Sequence, residues 1–338
     1  MKLLHHLAGL ATALGVFAPA FAAEPTPFLN VSYSYTKGFF NDYNPGFAAS
    51  WKEKTGQQLV FSQSHAASGS QSQKVTAGEL DADVVTLAAP PDIDRLHPTG
   101  NLIPADWASR YGNNSAPYGT LVVLVVRPGN PKGVSDWNDL AEKEIKVLTS
   151  NPKICGGGRW NYLAPFGYAL RKNGGDTVKA EAFVDKIYDN VPVCYKGVGL
   201  SAKAFFEGTG DVLITYENVI LDELAKKPDL AVQIVYPSIT VEVELPVAVV
   251  EANARKHGTL EAAQAYLAGL YSPEAQRLFA KHNFRPSDAK VAAEVAARFQ
   301  PVKTFKVQEA FRDWGVAQES QFAADGVFSR IYKGELLF

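Results

Sequence analysis

The stretch "NPKICGGGRWNY", residues 151–162, sets three glycines after a cysteine and directly before a run with helical periodicity. It follows "IKVLTS" (145–150), a short run of the kind that forms a buried strand. A helix that starts there leaves its first-turn N–H groups without partners. Gly156 and Gly157 carry no side chains, so another group can approach those amides closely. The start of a helix also bears partial positive charge. The stretch therefore reads either as an oxyanion cradle or as a plain strand-to-helix turn.

Outward from it, short apolar runs alternate with longer amphipathic ones, the pattern of α/β layers. Strands are expected at 28–33, 58–64, 83–88, 119–127, 145–150, 191–193, 211–216, 231–236 and 245–250, with helices only after Ala252. No long linker divides the chain, so it is expected to cross between two halves at the runs 119–127 and 240–250. The expected first lobe is 23–118 plus 245–338, and the second is 119–244. Open α/β sheets bind ligands beyond the carboxyl ends of their strands. Two more loops occupy such ends. In "SQSHAASGSQSQK" (62–74), Ser68 and Gly69 offer a hydroxyl and backbone donors at a helix start, where Ser is also a good N-cap. In "YKGVGLSAKAFF" (195–206), glycines again precede a helix.

The first 22 residues, "MKLLHHLAGLATALGVFAPAFA", have one lysine, an apolar middle and a small-x-small ending, the form of a cleavable secretory signal. About 315 of the 338 residues remain, enough for two lobes. The formal net charge is -2 and no basic face stands out, so nucleic-acid and membrane-surface partners are not expected. In an exported chain the pair Cys155 and Cys194 is expected to form a disulfide, the rival being a reduced pair that holds a thiophilic metal or metalloid. The four histidines beyond residue 22 lie in no metal-ligand spacing, and no G-x-S-x-G elbow, P-loop or G-x-G-x-x-G is present. The carboxylates of "DIDR" (92–95) read as a solvated loop. No cofactor and no catalytic residue are expected.

With those loops in view, the chain resembles the periplasmic sulfate- and thiosulfate-binding proteins of ABC importers. The resemblance rests on "NVSY" (30–33), "WKEKTG" (51–56), "QSH..SG.Q" (63–71), "DADVVTLA" (81–88), "NNSAPY" (113–118), "NPK..GG.RWNYLA..GYAL" (151–170) and "YSPE" (271–274). It implies a two-lobed type II periplasmic-binding-protein fold, a sulfur oxyanion held between the lobes by neutral donors, a membrane permease as partner, a periplasmic location and a monomer. Ser68 then matches the serine of the family's first loop, and Gly156 and Gly157 its paired glycine amides. Other positions depart from the pattern. Cys155 stands where the family has a serine, Val198 where it has an alanine, and Tyr216 where it has a tryptophan. Ser34, Ser70 and Gly199 replace an aspartate, a lysine and an arginine. These departures leave a sulfonate, a sulfate ester or another oxyanion, and a sensing role, beside sulfate or thiosulfate transport.

Overall fold

The computed structural model describes residues 24–141 and 144–338; the expected signal segment lies outside them. In chain order its strands are β1 (Thr26–Tyr33), β2 (Leu59–Ala66), β3 (Val84–Thr86), β4 (Tyr118–Val126), β5 (Val147–Ser150), β6 (Val193–Tyr195) and β7 (Val212–Tyr216). Then follow β8 (Gln233–Val235), β9 (Ile239–Leu245), β10 (Val247–Val249), β11 (Arg285–Pro286), β12 (Lys303–Phe305) and β13 (Glu335–Leu336). They form two sheets. The smaller has the order β10-β3-β1-β2, and the larger runs β12-β9-β4-β7-β5-β6-β13 with β8 and β11 also pairing to β4.

The central strands are parallel: β1 with β2 and β3, and β5 with β6 and β7. The strand β4, antiparallel to β7, β8, β9 and β11, is Val-rich because it is covered on both faces; Leu121 to Val126 are all buried. Each sheet is flanked by helices, giving the two-lobed α/β architecture. One crossing falls at Pro246, between β9 in the larger sheet and β10 in the smaller one. Pro has no N–H to offer a ladder, and its carbonyl accepts from Leu87 of the smaller-sheet side. The strand 118–126 belongs wholly to the larger sheet.

The C-terminal stretch departs from expectation. Residues 303–305 pair in parallel with β9, and residues 335–336 with β6, so part of 245–338 supplies strands to the second sheet instead of staying with the first. Strands of two or three residues with polar members have no readable period, which is why helices alone were expected there. Trp314 completes that docking with an edge-on contact to Trp160, ring centres 4.6 Å apart. The helix Gly156–Lys172 is buried without a break from Gly156 to Leu170. It is the axis of the second lobe, and its first turn meets the first lobe.

Candidate functional site

Three helices begin where parallel strands end: Ser68–Thr76 after β2, Gly156–Lys172 after β5, and Val198–Phe206 after β6. The first belongs to the smaller sheet, the other two to the larger one. Their N-termini converge on one cavity of about 360 Å³, lined among others by Ser34, Ser68, Cys155, Gly157, Val198 and Tyr216. Three helix starts aimed at one space sum their partial positive charge and their unpaired amides there.

Gly156 and Gly69 do not line this cavity; they serve contact between the lobes. A Cβ on Gly156 would lie 2.8 Å from Asp92 Oδ2 and 3.1 Å from Ala88 Cβ. A Cβ on Gly69 would lie 2.5 Å from the Ile154 carbonyl oxygen. The three-glycine run therefore answers mainly to close packing, with Gly157 alone bordering the cavity, where a Cβ would meet Val198 Cγ1 at 2.5 Å.

Asp92 corrects a second expectation. Read as part of a solvated loop, it is fully buried. Arg159 Nη1 donates to its Oδ1 at 2.7 Å and Ser68 Oγ donates to its Oδ2 at 2.6 Å. The Ala88 amide in turn donates to Ser68 Oγ at 2.9 Å. The Ser68 hydroxyl is thus engaged within the protein, and what this residue can offer a ligand is its amide. Trp160 Nε1 donates to the Ala88 carbonyl at 2.7 Å, a further bond between the lobes.

Sequence reasoning passed over several cavity residues. Tyr33 closes β1, Tyr35 and Ala88 follow β1 and β3, and Lys196 precedes the Val198 helix. The Tyr33 and Tyr216 hydroxyls have no hydrogen-bond partner among the described residues although both side chains are buried. Burial pushes both phenols well above their ordinary range, so each keeps its proton and stays a donor. "NVSY" marked Tyr33 only as part of a resemblance; nothing local shows that its hydroxyl is buried without a partner in a residue bordering the cavity.

The expected disulfide is not formed, and both cysteines are free and buried. Cys194 was placed after a strand ending at 193, but β6 runs 193–195 and sets it in mid-strand, between Thr149 of β5 and Leu336 of β13. Burial pushes its thiol up to about 12, with Tyr332 beside it pulling the other way. Cys155 instead caps the Gly156 helix without a side-chain hydrogen bond and borders the cavity. Burial raises its thiol, and the amides of Gly158, Val198 and Gly157 around the sulfur oppose that rise. The two thiols have different surroundings, and among the described residues no group of three or more His, Cys, Asp or Glu side chains could hold a metal ion, so the thiophilic-metal reading gains no support. Thiol titration without reductant should count two thiols per chain after unfolding and no fast-reacting thiol before it. A count of zero in the unfolded chain would restore the disulfide.

Comparison with known proteins agrees with this geometry. The family description "Bacterial extracellular solute-binding protein" matches residues 35–285. A sulfate-binding protein of Escherichia coli is 44% identical over 320 residues, covering 94% of this chain and 96% of its own. A thiosulfate-binding protein of Pseudomonas aeruginosa is 41% identical over 336 residues, covering 98% and 99%. The solved structure of the sulfate-binding protein SubI from Mycobacterium tuberculosis superposes with a TM-score of 0.78 at 32% identity, covering 88% of this chain and 99% of its own. A periplasmic thiamin-binding protein shares the fold alone, with a TM-score of 0.64 at 16% identity. Two lobes, a cleft ringed by helix starts and identity along nearly the whole length agree: the chain belongs to the bacterial extracellular solute-binding proteins, in the family of the sulfate- and thiosulfate-binding proteins.

Proposed function

We propose that the protein is the periplasmic solute-binding component of an ABC importer and that it carries sulfate or thiosulfate in the cavity between its lobes without altering it. The carrying observation is the convergence of the Ser68, Gly156 and Val198 helix starts on one cavity, with two unpartnered phenol donors beside them. A desolvated anion needs a donor for each lone pair it exposes, and each hydrogen bond to a charged group contributes about 1.5–3 kcal/mol. Amides and hydroxyls supply most of these donors, with one exposed cation, Lys196, also on the lining. The ligand-facing set is then the amides of Ser68, Gly157 and Val198, the hydroxyls of Ser34, Tyr33 and Tyr216, and the thiol of Cys155. Gly69 and Gly156 act on closure. Phosphate at neutral pH keeps a proton that needs an acceptor, and the nearby carboxylate, Asp92, is already satisfied by Ser68 and Arg159. No group here is arranged as nucleophile and base, so binding and delivery are the whole task.

A thermal-shift comparison checks this. Sulfate or thiosulfate at a hundred times its Kd should stabilise the protein by about 2.7 kcal/mol and be recovered unchanged, while phosphate should do nothing. Stabilisation by phosphate alone, or conversion of the bound anion, would defeat the proposal.

A further inference from the structure

The cavity lining is unequal in its chemistry, and this bears on which sulfur oxyanion fits. Strong donors come from helix-start amides and from the Tyr33 and Tyr216 hydroxyls. At the Gly156 helix start the lining changes. Cys155 contributes a thiol, a weak donor, and its sulfur stands among the amides of Gly157, Gly158 and Val198. The Val198 side chain leans on Gly157, its Cγ1 lying 2.5 Å from where a Cβ on that glycine would be, so carbon fills space at the cavity edge that a smaller side chain would leave open. Ala67, Ala88 and Leu200 add more carbon around the same space.

Sulfate presents four equivalent, strongly hydrated oxygens, and each one set against carbon or a thiol loses its water without full return. An anion of the form R–SO3 presents only three. Its fourth substituent, a terminal sulfur or a short alkyl carbon, is weakly hydrated and gains from contact with polarizable sulfur and aliphatic carbon. We infer that this site selects sulfur oxyanions bearing one large, weakly hydrated substituent over sulfate, with Cys155 and Val198 receiving that substituent and Tyr33 and Tyr216 donating to the oxygens. The inference rests on the proposal that this cavity is the anion site, and it goes further by naming which class of sulfur anion is preferred and which residues prefer it.

Isothermal titration of the full mature chain with sulfate, thiosulfate and methanesulfonate, at matched ionic strength, tests it. Thiosulfate, methanesulfonate or both should bind about tenfold or more tightly than sulfate, the scale expected when one contact surface discriminates. Preference for thiosulfate alone assigns the substituent to sulfur, and preference for both extends it to alkyl carbon. The pair Cys155→Ser with Val198→Ala should move the ranking toward sulfate by about tenfold, and Tyr33→Phe should weaken all three anions without reordering them. Circular dichroism checks that each variant folds. Sulfate binding as tightly as both others, or a ranking unmoved by the double variant, overturns the inference while leaving the anion-carrier reading intact. If none of the three binds, both readings fall together.

Discussion

Asp92→Ala is expected to weaken anion binding by two to three orders of magnitude, more than any single cavity residue. The carboxylate accepts from Arg159 across the cleft and from Ser68 on its own side, and Asp92 and Arg159 are both almost wholly buried. Removing one partner of such a pair leaves an uncompensated buried charge, which costs about 3–5 kcal/mol. The guanidinium has an escape: if the lobes part, water reaches it. The loss should therefore fall on the closed, ligand-bound state, with a smaller fall in the stability of the ligand-free protein. Only the competent fraction binds, so a shift toward the open form appears directly as a higher apparent Kd. Removing the carboxylate also frees the Ser68 hydroxyl beside the Ala88 amide, which disturbs the first-lobe loop that presents the Ser68 amide. Asp92→Asn keeps an oxygen for one partner and should lose less than Asp92→Ala. Titration of both variants, with urea unfolding in the presence and absence of ligand, decides the matter. A Kd within threefold of the wild type would show that the buried pair does not govern closure.

How far the sequence discloses this arrangement depends on the range of the interaction. The buried strands are legible because burial on both faces enriches them in Val, Ile and Leu, as in the antiparallel "GTLVVLVVR" (119–127) and in "DVLITY" (211–216). The helix starts are legible because small residues stand where a strand gives way to a helix. The short strands 303–305 and 335–336 are not, because pairing to β9 and β6 is a property of the partner and not of two or three local residues. The same limit explains Asp92. Its partner Arg159 is 67 positions away, and nothing within "DIDR" signals that a guanidinium will cover it. Arg159 in "GGGRW" carried a hint, since an arginine set among glycines and aromatics at the start of a largely apolar helix needs a carboxylate if it is buried. Cys194 shows the cost of a small boundary error: ending the strand at 193 turns a mid-strand thiol into a loop thiol and suggests a bond to Cys155 that the structure does not contain. The two phenol donors differ in legibility. The resemblance sets Tyr216 at a ligand position, whereas Tyr33 reads as a core aromatic, and only the fold shows that both side chains are buried while their hydroxyls find no partner among the described residues.

Wedging the interface between the lobes should weaken binding while leaving the fold intact. Gly69→Ala places a methyl group 2.5 Å from the Ile154 carbonyl oxygen, which is backbone and cannot swing aside. Gly156→Ala places one 2.8 Å from Asp92 Oδ2 and 3.1 and 3.2 Å from the methyl carbons of Ala88 and Ala89. Each contact exists only when the lobes meet. Overpacking of this kind costs about 1–3 kcal/mol, which here is charged to the closed state and corresponds to a loss of roughly 5- to 150-fold in affinity. The two substitutions sit on opposite lobes but press on the same interface, so their effects should not simply add. Once the lobes are held apart by the first methyl group, the second has less to obstruct. Melting temperatures without ligand should stay near the wild type, because Ala suits the first turn of a helix better than Gly does. Small-angle scattering should show no compaction on adding ligand to either variant. Full compaction with an unchanged Kd in Gly69→Ala would mean that the Ile154 carbonyl yields, and that the close approach of the two lobes at this point is not what limits binding.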